Sequence, residues 1–277
     1  MNTERKKTPA GKYALCIGIN DYPGTESDLR GCINDANDWA KVLTKHGFTV
    51  RKLLNKHATG AAIRDAIRET VDDAKSGDLL VIQYSGHGSY VPDVNGDEPD
   101  GTDECLCPYD IKRKGPIADD ELFELFSRRE RGVKLVMVSD SCHSGTVARF
   151  AMASARSNGH GNGHRVRFLA PATFLSKRKL AQLGARRAVR ASSPPGRYAG
   201  LLIAGCQDKE YSYDAEFRGR PNGAFTYMAL QALPKLARSA TYRAWFEAIR
   251  KTLPSQEYPQ SPNLLGSNSM KRWKVLG

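Results

Sequence analysis

The chain has 277 residues, 40% of them hydrophobic, which is enough for one large core or two small ones. No apolar run reaches the roughly 18 residues that a membrane-spanning helix needs. The basic amino terminus MNTERKKTPAGK lacks the apolar stretch of a secretory signal, so the sequence reads as a soluble, cytoplasmic protein with no membrane partner. The formal net charge is +12, and eleven Lys or Arg lie between Ser141 and Gln207, where there is no Asp or Glu. One segment therefore carries nearly all of the excess, and no recognised nucleic-acid-binding module accompanies it, so a nucleic-acid partner is not expected. The six cysteines lie mostly in or beside apolar elements rather than in a small loop-rich scaffold, which argues against disulfides. Cys105 and Cys107 form a CxC pair, but no second Cys/His pair with a familiar zinc spacing accompanies it.

In chain order, KYALCIGI (12–19) predicts a buried strand. CINDANDWAKVLTKHG places Ile33, Ala36, Trp39, Ala40 and Leu43 at helical spacing, with Gly47 as a stop. FTVRKLL (48–54) reads as a strand, and residues 59–74 as an amphipathic helix capped by Thr59. DLLVIQYSGHG (78–88) is a strand that runs into glycines, followed by a long acidic loop over 89–117. Residues 119–129 form a helix with two acids in its first turn, and VKLVMVSD (133–140) a strand. Residues 150–197 read as an exposed basic linker with one short helix around FLSKRKLAQLGARRAV. YAGLLIAGC (198–206) is a strand, GAFTYMALQAL and YRAWFEAIRKTL are helices, and KRWKVLG is a last strand. Strands alternating with helices predict a largely parallel sheet covered on both faces.

In such sheets ligands bind beyond the carboxyl ends of the strands, and two strands end in reactive residues, YSGHG and SDSCHSG. His87 and Cys142 stand 55 positions apart, each just past a strand. A thiol needs a base or a positive neighbour to act as a nucleophile, and His87 supplies the base. His143 is the rival base, but neighbouring side chains after a strand diverge. Gly86 and Gly88 flank His87 and let a substrate backbone approach. The backbone N–H groups of Gly88 and Cys142 are the natural donors to an oxyanion.

These motifs resemble those of metacaspases, the caspase-like cysteine peptidases. ALCIGINDY, LRGCINDANDW, GDEPDGTDE, ADDEL, GAFTYMAL and SPNLLGS are similar to further segments of that family. The resemblance, closest to type I members without a prodomain, covers roughly 12–149 and 198–270. It implies one caspase-like α/β domain, a three-layer α/β/α sandwich around a six-stranded, mostly parallel sheet. Residues 1–149 would form the large-subunit-like part and 198–277 the small-subunit-like part, flanking the linker 150–197. It implies a monomeric cysteine endopeptidase that cuts protein or peptide substrates after Arg or Lys, with an S1 pocket of Cys32, Asp35, Ser85 and Asp140. Paired carboxylates suit a guanidinium or an ammonium and repel an acidic side chain. It further implies calcium ligands at Asp103, Asp119 and Asp120, while the fourth family aspartate is replaced by Arg149. DVNGDEPDGTDE also has Asp93, Asn95, Asp97 and Glu104 at EF-hand-like offsets, but Glu98 stands where that loop needs glycine. No cofactor is required for the reaction. Self-cleavage is expected within the linker, with Lys179, Arg187 and Arg190 as candidates. The competing reading is a catalytically silent caspase-fold module that binds a partner or nucleic acid through its basic linker.

Overall fold

The structure, a computed structural model, describes residues 10–93, 101–142, 164–185, 199–207 and 210–277. Its first half alternates β1 (Lys12–Gly18), α1 (Cys32–Lys45), β2 (Thr49–Leu54), α2 (Gly60–Asp73) and β3 (Leu79–Ser85). Thr59 caps α2 as expected, its side chain accepting the Ala62 N–H. After β3 the chain makes β4 (Gly88–Pro92), β5 (Thr102–Leu106), α3 (Ile111–Lys114) and β6 (Ile117–Ala118), then α4 (Asp119–Ser127) and β7 (Lys134–Asp140).

The basic stretch contributes β8 (Arg165–Val166) and α5 (Lys177–Ala185). Beyond it come β9 (Leu201–Ala204), β10 (Tyr213–Phe217), β11 (Arg220–Gly223), α6 (Ala224–Ala232), α7 (Tyr242–Ile249), β12 (Asn263–Leu265) and α8 (Asn268–Lys271).

Six strands form the main sheet in the order β12-β9-β7-β3-β1-β2, five parallel and β12 antiparallel at one edge. The two-residue side-chain period of a strand, with both faces covered, explains the continuous apolar runs. Leu15, Ile17, Leu80, Ile82, Leu135 and Met137 point to one face and pack with Ile63, Ile67, Leu122 and Phe126 of α2 and α4. Ala14, Cys16, Val81, Val136 and Val138 point to the other, against Trp39 of α1, Phe225 of α6 and Trp245 of α7. The result is the three-layer α/β/α sandwich that the alternation predicts.

Three expectations need correction. The acidic loop over 89–117 contains a small antiparallel sheet in the order β4-β5-β6, because Gly88–Pro92 and Thr102–Leu106 pair with each other rather than facing solvent. The sixth strand is Asn263–Leu265, not KRWKVLG, whose first residue ends α8. Three residues are too few to show an alternation in sequence, and β12 is recognisable only through its pairing with β9 and the burial of Leu264. The segment 150–197 is not simply an exposed linker: α5 forms where a short helix was expected, but Arg167 and Leu169 are buried.

Candidate active site

Strands β3 and β7 are neighbours in parallel register, with Ser85 opposite Asp140. His87 and Cys142 each lie two residues further on, so their 55-residue separation equals the register offset and both emerge at the same edge of the sheet. Each residue is buried: His87 is 2% exposed and Cys142 1%.

The imidazole is held on several sides. Its Nε2 lies 2.5 Å from the Ser27 carbonyl, its ring packs on Tyr22 with centroids 4.6 Å apart, and the Tyr22 hydroxyl accepts the His87 N–H at 2.7 Å. A carbonyl only accepts, so Nε2 carries the hydrogen, and the lone pair is on Nδ1, which makes no hydrogen bond. Burial pushes the imidazole pKa down to about 4, against the opposing pull of the Ser27 carbonyl. His87 is therefore neutral at physiological pH. The Cys142 sulfur accepts the Ser212 N–H at 2.6 Å and lies 3.5 Å from the Ser212 carbonyl. The Cys206 thiol donates to the Ser141 carbonyl at 3.5 Å, and its interaction with Cys142, together with burial, pushes its pKa up. Neither ring nitrogen of His87 bonds the Cys142 sulfur in this state.

The centre of the site is filled by Arg167, fully buried. One of its Nη atoms sits 2.7 Å from Asp35 and 3.0 Å from Asp214, and the other 3.2 Å from the Asp140 carboxylate and 3.1 Å from its carbonyl. Each carboxylate is also anchored by other donors. Asp35 takes the Gly223 N–H and the Asn222 amide; Asp140 takes the Thr226 N–H and the Ser212 hydroxyl; Asp214 takes the Arg30 and Gly31 N–H groups. Burial still raises the Asp35 carboxyl to about 7, against the pull of Arg167. A cation inside such a cluster offsets the cost of burying three carboxylates together. The Arg167 main chain is gripped as well: its N–H donates to the Ser212 carbonyl at 2.9 Å, and its carbonyl accepts the N–H groups of Gly88 at 3.0 Å and Cys142 at 3.2 Å.

Of the residues expected in the pocket, Asp35 and Asp140 both touch the guanidinium. Cys32 and Ser85 are buried beside them without a hydrogen bond to it: the Cys32 N–H caps onto the Asn20 side chain, and the Ser85 hydroxyl accepts from Gln83. Asp214, Ser212, Ser27 and Arg167 escaped the sequence reading. Asp214 comes from a strand far along the chain, and Arg167 is one of eleven cations with no local mark beyond the alternation in RVRFL.

Lys179 lies in α5 and is exposed, while Arg187 and Arg190 lie outside the described residues. Asp103 sits on β5, and Asp119 and Asp120 open α4; Arg149 lies outside the described residues. Among the described residues no group of three or more His, Cys, Asp or Glu side chains is arranged to hold a metal ion. No described helix is long and apolar enough to cross a membrane.

Comparison with known proteins adds independent information. A family model described as "Metacaspase, peptidase C14 domain" matches residues 12–150. Metacaspase-1 of Cryptococcus neoformans is 31% identical over 290 residues, covering 94% of this chain and 63% of that protein. Metacaspase-3 of Arabidopsis thaliana is 33% identical over 248 residues, covering 85% and 63%. The chain thus spans 63% of the length of each of these relatives. Among solved structures, protein GSU0716 from Geobacter sulfurreducens superposes with a TM-score of 0.73 at 29% identity, covering 96% of this chain and 98% of that one.

Proposed function

The chain belongs to the metacaspase family, and from that premise we propose that it is a cysteine endopeptidase that cuts protein substrates after Arg or Lys and processes itself within 150–197. The observation that carries this reading is the grip on Arg167: three buried carboxylates around a guanidinium whose own carbonyl faces two converging amides beside a cysteine and a histidine.

The assigned roles follow from the atoms. Asp35, Asp140 and Asp214 form the S1 pocket, which favours a cation and rejects an acid. The Gly88 and Cys142 amides bind the carbonyl oxygen and stabilise the charge that develops on it during attack. His87, neutral and with a bare Nδ1, takes the thiol proton once the sulfur turns from Ser212 toward it. The Ser27 carbonyl holds the ring in that tautomer. The thiolate then attacks the carbonyl carbon, and the peptide C–N bond breaks as His87 passes the proton to the departing amine. Water, deprotonated by the same imidazole, hydrolyses the thioester.

A panel of fluorogenic peptides with Arg, Lys or Asp at P1 tests the proposal. Arg and Lys peptides should be cleaved by the wild type and not by Cys142→Ala. Asp214→Asn should lower kcat/KM for the Arg peptide by at least about thirtyfold, the cost of removing one partner of a buried charge pair. Efficient cleavage after Asp would remove the pocket assignment. Salt-sensitive nucleic-acid binding without hydrolysis would favour the silent module instead.

A further inference from the structure

We infer that the chain is its own first substrate, that the bond it cuts is Arg167–Phe168, and that the uncut segment keeps the enzyme latent. This rests on the peptidase reading and adds to it the bond and the regulation.

Residues 165–169 run through the site, in strand pairing at Arg165 and Val166 and bending at Arg167, and are held on both sides of that bond. Upstream, Arg165 and Val166 pair antiparallel with Asp214 and Tyr213 of β10. At the centre, the Arg167 N–H meets Ser212 and its carbonyl sits between the Gly88 and Cys142 amides. Downstream, the Leu169 N–H donates to the Gly88 carbonyl at 3.0 Å, and the Ser89 hydroxyl donates to the Leu169 carbonyl at 2.6 Å. The Phe168 ring stacks on Tyr90 with centroids 6.1 Å apart, and Leu169 is buried in the core. Strand addition of this kind is how extended peptides are commonly bound, with the main chain supplying affinity and the pockets supplying selectivity. Lys179 differs in every respect: it is exposed and its backbone lies within α5.

The same contacts explain latency. The arginine fills the three-carboxylate pocket, and its carbonyl occupies the two amides that a substrate carbonyl would use. A tethered occupant competes at the high effective concentration of an intramolecular ligand, so a substrate from solution is excluded. Cutting proceeds by the steps above. The Cys142 sulfur bonds the Arg167 carbonyl carbon, and the Phe168 nitrogen leaves as an amine with the proton carried by His87. Water then adds to release a carboxylate at Arg167 and the free thiol. Once cut, the new carboxyl end is no longer tied to Leu169, which remains anchored in the core, and it can exchange with a substrate from solution.

The test is to purify wild type and Cys142→Ala side by side, incubate, and read intact mass and amino-terminal sequence. Wild type should yield a fragment beginning Phe168-Leu169-Ala170, and Cys142→Ala should stay whole. Arg167→Lys should still be cut, and combined Lys179→Gln, Arg187→Gln and Arg190→Gln should be cut as wild type. Phe168→Pro retains the arginine in its pocket and replaces the leaving amide. It should stay uncut and hydrolyse an Arg peptide at least tenfold more slowly than processed wild type. A first cut elsewhere, an uncut wild type that hydrolyses peptide, or full activity in uncut Phe168→Pro would overturn the inference while leaving the peptidase reading intact. Absence of peptide hydrolysis by every form would remove both.

Discussion

His87 shows how much a single residue depends on its packing. Its ring is enclosed by Tyr22 and fixed by Ser27, and Gly86 beside it has no room for a side chain: a Cβ there would lie 2.6 Å from the Tyr22 and Tyr84 hydroxyls. Gly223 is constrained in the same way, since a Cβ would collide with the Asp140 carboxylate and lie 2.5 Å from Arg167. The depressed imidazole pKa has a consequence for stability. The unfolded chain takes up a proton near pH 6.5, whereas the folded ring does so only near 4. The folded state therefore loses stability as pH falls through that window, and the term is constant above it. Denaturant titrations of wild type and His87→Asn at pH 7 and pH 4 should show the difference between them shrinking by on the order of 3 kcal/mol. Equal pH slopes for the two proteins would show that the ring titrates normally. Comparison with the variant also separates this term from Asp35, whose raised pKa has the opposite slope.

At the scale of elements, the parallel pairing of β3 with β7 does the positioning. With Ser85 opposite Asp140, the two following turns deliver His87 and Cys142 to one edge without any further device. Helix α1 adds Asp35 from its first turn, and the β10–β11 hairpin adds Asp214 and the Gly223 amide. The β5–α4 region is less well equipped: Asp103, Asp119 and Asp120 make no three-ligand cluster among the described residues, and Arg149 puts a cation where the family resemblance implies an acid. A cation at that position costs affinity for a divalent metal. Peptide hydrolysis by processed enzyme should change less than tenfold between chelator and millimolar calcium. A rise of a hundredfold would show that the acids assemble despite Arg149.

The whole molecule joins two stretches of chain into one sheet. Strands β9 and β12, from beyond the basic segment, extend the sheet next to β7. The core on that face is shared between Trp39 of α1 and Trp245 of α7, which meet edge to face with centroids 5.8 Å apart. Trp245→Ala should cost about 3–5 kcal/mol, as deletion of a fully buried aromatic does, and lower Tm by roughly 10 °C. A shift of only 1–2 °C, on the order of surface substitutions, would show that the two parts are stabilised independently. The site is split in the same way, with His87 and Cys142 on one side of the basic segment and Ser212 and Asp214 on the other.

Periodicity predicted the five parallel strands and the covering helices, and spacing pointed to His87 and Cys142 as candidates, which the structure places at the ends of neighbouring strands. Those features are local: a buried strand must be apolar throughout, a helix must show its face every three to four residues, and a strand end announces itself by the residues that follow it. Asp35 and Asp140 were legible because they flank such elements and match a family pattern. Asp214, Ser212, Ser27 and Arg167 were not, because nothing in their own neighbourhoods differs from an ordinary strand or loop. Arg167 in particular looks like any of the cations around it until the tertiary fold closes three carboxylates over it. Burying a charge is tolerated only where partners from distant segments converge, and convergence is a property of the folded chain.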